Sequence, residues 1–268
     1  LAFCKNSITR GALLERHLWS GRLPPEAIWE TDHGVQVASP LFTLLTLAPY
    51  VSETQLLMMA YEMCGTFAVF RPSDLIEKSL KDAYASHQLP GDFGWKRSAN
   101  QKGEATDLWQ RPPLIQIDDL LDYAESNRSR RGGKKLLNAA RQVRGVTASP
   151  FEVQASMLFG LSRRLGGEGL LHFENNYEIA LDQKAKKIVN KDKVYADLHF
   201  VSAEGDRSVI VECQGATEHG KVDAGIRDAD RATALQSMGY DVILLTYEKM
   251  SDKDSFRTVA EMLANKLG

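Results

Sequence analysis

The sequence predicts an α/β protein: a mainly helical N-terminal region, then an α/β domain whose mixed central sheet is flanked by helices. Three observations predict it. Residues 195–215 have the composition of a β-hairpin, with two strand-like runs around a polar turn that carries Gly205. Residues 241–247 form a continuous apolar run, which suits a strand covered on both faces. Capped helical patterns surround both, so the second half reads α-β-β-β-α-β-α over about 120 residues, an ordinary domain size.

The elements follow in order. Leu13 to Trp19 suit a short helix, with Gly21 beyond its end. Residues 29–37 suit a hairpin turning at Asp32, His33 and Gly34. Ser39 and Pro40 are an N-cap and a first-turn proline, and Leu41, Leu44, Leu45 and Leu47 supply an apolar stripe. Ser52 opens a second helix that Gly65 ends, and Ser73 caps a third over 74–84. Residues 86–113, rich in Gly, Pro and polar side chains, read as a loop-rich segment. Trp95 and Trp109 either pin that segment to the body or offer a base-stacking platform.

Residues 117–123 start a helix with acids in its first turn, which complements the helix dipole. The charge then reverses: Arg128, Arg130, Arg131, Lys134, Lys135, Arg141 and Arg144 follow with no acid between Ser126 and Phe151. Such a run is either a solvated helix face or a surface that holds phosphates. Gly132 and Gly133 split it, and Leu136, Leu137 and Ala140 point inward. Ser149 and Pro150 open the next helix. Glu152 is either the capping-box partner of Ser149 or a third acid of a metal site. After a strand over 170–181, a lysine-rich linker over 184–193 leads to the hairpin. A polar stretch over 216–223 precedes a helix over 224–238, which turns Ile226, Ala229, Ala232, Ala234 and Leu235 inward. A last helix spans 256–267. The expected organisation is 1–115 as a regulatory or partner region, 116–148 as a basic helical connector, and 149–268 as the α/β domain.

Composition sets bounds on function. The 268 residues are 43% hydrophobic and 25% charged, as in soluble globular proteins. A net charge of −2 gives no global basic signal, so nucleic acid needs a local patch. Cys4, Cys64 and Cys213 form no CxxC pair and suit a reducing cytosol, hence a cytoplasmic location. No apolar run reaches spanning length, so no membrane partner is expected, and no signal-peptide pattern opens the chain.

The chemistry-bearing feature is a pair of acids. Side chains alternate along a strand, so Val209, Val211 and Cys213 share one face and Ile210, Glu212 and Gln214 the other. An acid amid an apolar strand needs a partner, and Asp197 on the preceding strand lies across the hairpin from it. Two converging carboxylates repel unless a proton or cation lies between them. A hard cation such as Mg²⁺ takes ligands of this kind. Alternatively, Arg227 or Arg231 neutralises the acids as ordinary ion pairs.

Residues from about 128 to 267 resemble the endonuclease-like domain related to very-short-patch-repair endonucleases, within the PD-(D/E)XK nuclease superfamily. The matching pieces, in order, are Ser149-Pro150-Phe151-Glu152, the Asp197 strand, Val211-Glu212-Cys213-Gln214-Gly215, His219, Asp230-Arg231 with Leu235, and the run from Gly239 to Leu244. The resemblance implies a restriction-endonuclease-like fold and Mg²⁺- or Mn²⁺-dependent hydrolysis of phosphodiester bonds in DNA. It implies Asp197 and Glu212 as metal ligands, and Glu152, Gln214 and His219 as further catalytic residues. It also turns the basic run, Arg128, Arg130, Arg131, Lys134 and Lys135, into the DNA-binding surface. Gln214 stands where many members carry lysine; an amide can orient a water but brings no charge. His219 either assists a water or leaving group or is an ordinary exposed histidine. Residues 1 to about 85 resemble AbiEi-type abortive-infection antitoxin proteins through the stretch from Val35 to Leu45, although no winged-helix recognition helix precedes it. That resemblance implies a bacterial defence or toxin–antitoxin setting with a cognate protein partner. The alternative expectation is a nuclease fold that has lost its chemistry and binds nucleic acid or a partner.

Overall fold

The computed structural model describes residues 19, 21–31, 34–86, 94–100, 102–214 and 222–268. Local signals set most helix starts. In α1 (Pro40–Leu47) the Ser39 hydroxyl accepts the Phe42 N–H at 3.3 Å. In α2 (Glu53–Cys64) Ser52 and Gln55 form a reciprocal capping box. In α3 (Asp74–Ala85) Ser73 accepts the Ile76 N–H at 3.4 Å. Strands β1 (Ile28–Glu30) and β2 (Gln36–Ala38) pair antiparallel. Asp32 and His33 of the expected turn lie outside the described residues, as do Leu13 to Leu18 of the expected first helix.

The N-terminal half is more mixed than the sequence suggests. Within 86–113, the segment expected to be loop-rich, lie β4 (Lys96–Ala99) and β5 (Ala105–Gln110). They join β3 (Phe67–Val69) in an antiparallel sheet of order β3-β5-β4. Their polar composition hid them, because a short sheet open on one side needs few apolar residues. Trp109 is buried, and its indole N–H donates to the Phe70 carbonyl at 2.9 Å, so this ring does anchor the segment.

Helices α4 (Ile117–Ser126) and α5 (Gly133–Ala140) follow. Gly132 turns the chain between them at φ 83, a left-handed conformation that side chains resist. The expected connector shares a core with what precedes it: Leu120, Ala124, Leu136, Leu137 and Ala140 bury against Phe42, Leu44, Leu56 and Tyr61.

The second half is built on α6 (Pro150–Gly160), β6 (Phe173–Ala180), α7 (Gln183–Val189), β7 (Lys193–Val201), β8 (Ser208–Gln214), α8 (Val222–Ser237), β9 (Asp241–Thr246), α9 (Tyr247–Ser251) and α10 (Lys253–Leu267). The sheet runs β6-β7-β8-β9, with β6, β7 and β8 antiparallel and β8 parallel to β9. The alternation along β8 assigns its two faces. Val209 and Val211 bury with Phe159, Phe256 and Leu263 of α6 and α10, while Ile210 buries with Ala185, Ala234 and Leu235 of α7 and α8. The sheet is thus mixed and flanked by helices.

Three details differ from the sequence reading. The lysine-rich linker contains helix α7, started by the Asp182 carboxylate, which accepts the N–H groups of Lys184 and Ala185. Strand β9 lies at the sheet edge, with Ile243 and Leu245 buried but Leu244 exposed. One face is buried through Ile243 and Leu245, and the other is covered only in part, with Val242 half-buried against the core of α7 and α8 and Leu244 exposed. In α8 Ala229 is exposed, whereas Ala232, Ala234 and Leu235 are buried as expected; the side chain of Ile226 lies outside the described residues.

Two of the three cores meet at α6. Val153 buries in the first core, and Ala155 and Phe159 in the second. A helix apolar around its circumference is one buried on several sides. Beside it, Asn175 of β6 donates its N–H to the Arg144 carbonyl at 2.9 Å, and Thr66 donates to Thr147 at 2.8 Å. Gly145, at φ 135, permits this approach, because a Cβ there would lie 2.5 Å from the Asn175 carbonyl oxygen. Among the described residues no helix is long and apolar enough to cross a membrane.

Candidate functional site

The β7–β8 hairpin forms as its sequence pattern requires, closed by a turn in which the Ser202 hydroxyl donates to Asp206 at 2.7 Å and accepts two backbone N–H groups. The last ladder pair toward the open end is Leu198 with Val211. One step further in the same register, Asp197 stands across from Glu212. There the Asp197 carboxylate accepts the Cys213 N–H at 2.7 Å. The opening of the hairpin therefore carries both acids.

Glu212 is buried, at 3% exposure. Its Oε2 accepts from Arg231 of α8 in an ion pair, the guanidinium retaining 30% side-chain exposure. A buried carboxylate requires such compensation, and Ile210 on the same face lies among apolar side chains of α7 and α8. The arginine alternative from the sequence is thus met for Glu212. The side chain of Arg227, the other arginine considered, lies outside the described residues.

Glu152 is also buried, and both readings of it bear on the geometry. The Ser149 hydroxyl donates to its Oε1 at 2.8 Å, and its own N–H donates back to that hydroxyl at 3.3 Å. Its Oε2 accepts the Ala148 N–H at 2.7 Å. This is a capping arrangement that serves the backbone one residue ahead of the cap. Glu152 nonetheless stays close enough to the hairpin to act on Cys213. Burial pushes the Cys213 thiol well above its ordinary value; the carboxylates of Asp197, Glu152 and Glu212 push it further, and Arg231 opposes them. Asp197 and Glu212 thus share the open end of the hairpin, while Glu152 reaches Cys213 only through its charge. Gln214, half-buried, follows at the end of β8. His219 lies outside the described residues.

As hard oxygen donors, Asp197 and Glu212 fit a divalent cation such as Mg²⁺. Their present orientations serve protein partners instead: Glu212 turns to Arg231 and Asp197 to a backbone N–H. Among the described residues no group of three or more His, Cys, Asp or Glu is arranged to hold a metal ion.

The basic run is drawn mostly into its own unit. Lys135 donates to the Val51 carbonyl at 2.6 Å, and Arg130 donates to the Arg22 carbonyl at 3.1 Å while lying over the Trp19 ring. Arg131 lies over the Tyr50 ring, and exposed Arg128 pairs with Glu125 at 3.0 Å. Arg128, Arg131 and Lys134 are exposed, whereas Lys135 and Arg130 are held by carbonyls. Sequence reasoning treated Arg231 as a possible neutraliser rather than a site residue. The signal that marks it is its place in α8, the helix that covers the Glu212 face. No family model matches the chain, and neither a curated protein nor a solved structure matches it.

Proposed function

We propose that the C-terminal half is a metal-dependent DNA endonuclease-like unit that hydrolyses phosphodiester bonds, with Asp197 and Glu212 as ligands of Mg²⁺ or Mn²⁺. The observation that carries this reading is Asp197 standing across from Glu212 at the open end of the β7–β8 hairpin. The sheet order β6-β7-β8-β9 between two helical layers supports it as well. A divalent ion held there supplies positive charge to the scissile phosphate and makes a bound water more acidic. Within the chain, Gln214 offers an amide that can both donate to and accept from the attacking water. Arg231 balances the charge of Glu212 and, once released from it, can donate to a phosphate oxygen. Glu152 fixes the start of α6 and adds negative potential at the strand end. His219 keeps its proposed role as a proton carrier for water or leaving group. The setting that accompanies this reading is bacterial defence, with a cognate protein partner for the N-terminal region.

The test is nicking of supercoiled DNA in Mg²⁺ or Mn²⁺. Asp197→Asn and Glu212→Gln are each expected to abolish nicking while leaving DNA affinity within about twofold, because phosphate contacts carry most of the affinity. Full activity in either variant sinks the assignment.

A second reading is favoured by the Glu212–Arg231 pair. If that pair is permanent, the unit is a nuclease fold without chemistry that binds nucleic acid or a protein partner. Calorimetric titration of Mn²⁺ separates the two: saturable binding lost in Glu212→Gln supports the first, and no binding to the wild type supports the second.

A further inference from the structure

A second site lies in the first unit, around Arg111. This arginine is 4% exposed, and among the described residues it pairs with no carboxylate. Its guanidinium donates to the carbonyls of Gly65 at 3.1 Å, Pro112 at 2.8 Å and Glu62 at 2.7 Å, and its Nε has no hydrogen-bond partner. Neutral carbonyls satisfy N–H groups but do not pair the positive charge directly. The carboxylate of Glu62, which accepts the Val69 N–H at 3.1 Å, acts on it only through space. Burial pulls Arg111 below its ordinary pKa, and Glu62 and Cys64 oppose that at longer range.

Arg111 lines a cleft of about 910 Å³ between α3, the β3-β5-β4 sheet and Ala148. Lys81, Lys96 and Arg97 line it too, and among the described lining residues the one acid is Glu77, which pairs with Arg97 at 2.9 Å. The floor is Trp109, and the half-buried Trp95 meets it edge-on at 6.3 Å. The Arg111 guanidinium lies 5.7 Å from the centre of the Trp95 ring. Cationic walls, an aromatic ring and room for a small molecule together select a ligand that is both flat and anionic.

We propose that this cleft binds a nucleoside phosphate, its base stacked on Trp95 and its phosphate held by Lys81 and Lys96 in the field of Arg111. The ligand is either a free nucleotide or the phosphorylated end of a single strand; the chemistry of recognition is the same. The site does not depend on cleavage at Asp197 and Glu212.

Calorimetry on the full chain tests it with AMP, adenosine, inorganic phosphate and a 5′-phosphorylated tetranucleotide. AMP is expected to bind saturably, with adenosine and phosphate each at least about tenfold weaker, since each lacks one of the two contacts. Trp95→Ala should weaken AMP about tenfold, and Trp95→Phe should restore most of the loss. Lys96→Ala, at an exposed position where folding is not at stake, should weaken AMP several-fold and flatten its salt dependence. Tighter binding of the tetranucleotide than of AMP assigns the ligand as a strand end; equal or weaker binding assigns a free nucleotide. Absence of saturable binding by both phosphorylated ligands, adenosine binding as tightly as AMP, or affinity unchanged in both Trp95→Ala and Lys96→Ala overturns the proposal.

Discussion

The two units treat charge in opposite ways. In the first, five of the seven cations in the run are engaged locally: Lys135 and Arg130 go to carbonyls, Arg130 and Arg131 lie on rings, and Arg128 and Arg141 share Glu125. In the second, Asp197 and Glu212, apart in sequence, meet at the open end of one hairpin. Charges adjacent in sequence can thus find partners locally, while acids apart in sequence can meet across a hairpin. The cation that matters most in the first unit is Arg111, which stands outside the run.

The sharpest way to break this comparison is to ask whether the units are mechanically separate. Phe159 is fully buried in the second core, against Phe200 and Phe256, and Leu44 is fully buried in the first. Phe159→Ala is expected to cost about 3–5 kcal/mol and Leu44→Ala about 2–5 kcal/mol. Because α6 serves both cores, both variants should lower the same denaturation midpoint. Two transitions, each moved by one variant alone, would refute the shared-helix account.

The Glu212–Arg231 pair comes next. Arg231→Leu removes the ion-pair partner of a buried carboxylate, and the cost should be about 2–3 kcal/mol, below that of a fully buried pair because Arg231 retains 30% exposure. Adding Glu212→Gln should recover part of that loss in urea titrations. If Mg²⁺ can replace the guanidinium, millimolar Mg²⁺ should raise the midpoint of Arg231→Leu more than that of the wild type. No difference between them favours the permanent ion pair.

Alkaline pH probes the first unit. Burial raises the Cys64 thiol from 9.0 and the Tyr61 phenol from 10.0, each to about 12. Both groups are neutral when protonated, so above their unfolded values the folded state holds the proton that the unfolded state releases. Stability is intact below pH 9 and falls as pH rises toward 12, by at most about 1.4 kcal/mol per pH unit for each group. Tyr61→Phe should flatten the fall in melting temperature above pH 10. An unchanged slope would contradict the burial account.

The smallest effects belong to the exposed part of the basic run. Arg128→Ala and Lys134→Ala should change stability by less than about 0.5 kcal/mol. If they touch DNA, each lowers the slope of log affinity against log salt by about 0.9. Lys135→Ala should instead reduce stability and leave that slope alone, since its ammonium is held by Val51.

Much of the local structure was legible in the sequence. Ser39, Ser52 and Ser149 announced helix starts because capping is a contact between near neighbours. The faces of β8 could be assigned because alternation is a property of the strand itself. Asp197 and Glu212 could be paired because a hairpin with a short turn fixes its register. Strands β4 and β5 were missed because their polar residues carry no period-two signal, and α7 because its lysines obscured the Asp182 cap. The edge position of β9 was hidden because an apolar run says nothing about how many neighbours the strand has.

By itself the sequence determined the hairpin, the two acids at its mouth, the capped helices and the α/β class, all of which arise from contacts between residues near one another in the chain. Only the tertiary structure decided that Arg231 would meet Glu212, that α6 would serve two cores, and that Arg111 would lie buried beside Trp95 in a cleft. Those outcomes depend on which distant surfaces close against each other. A buried charge takes its partner from whichever element covers it, and no local pattern specifies that element.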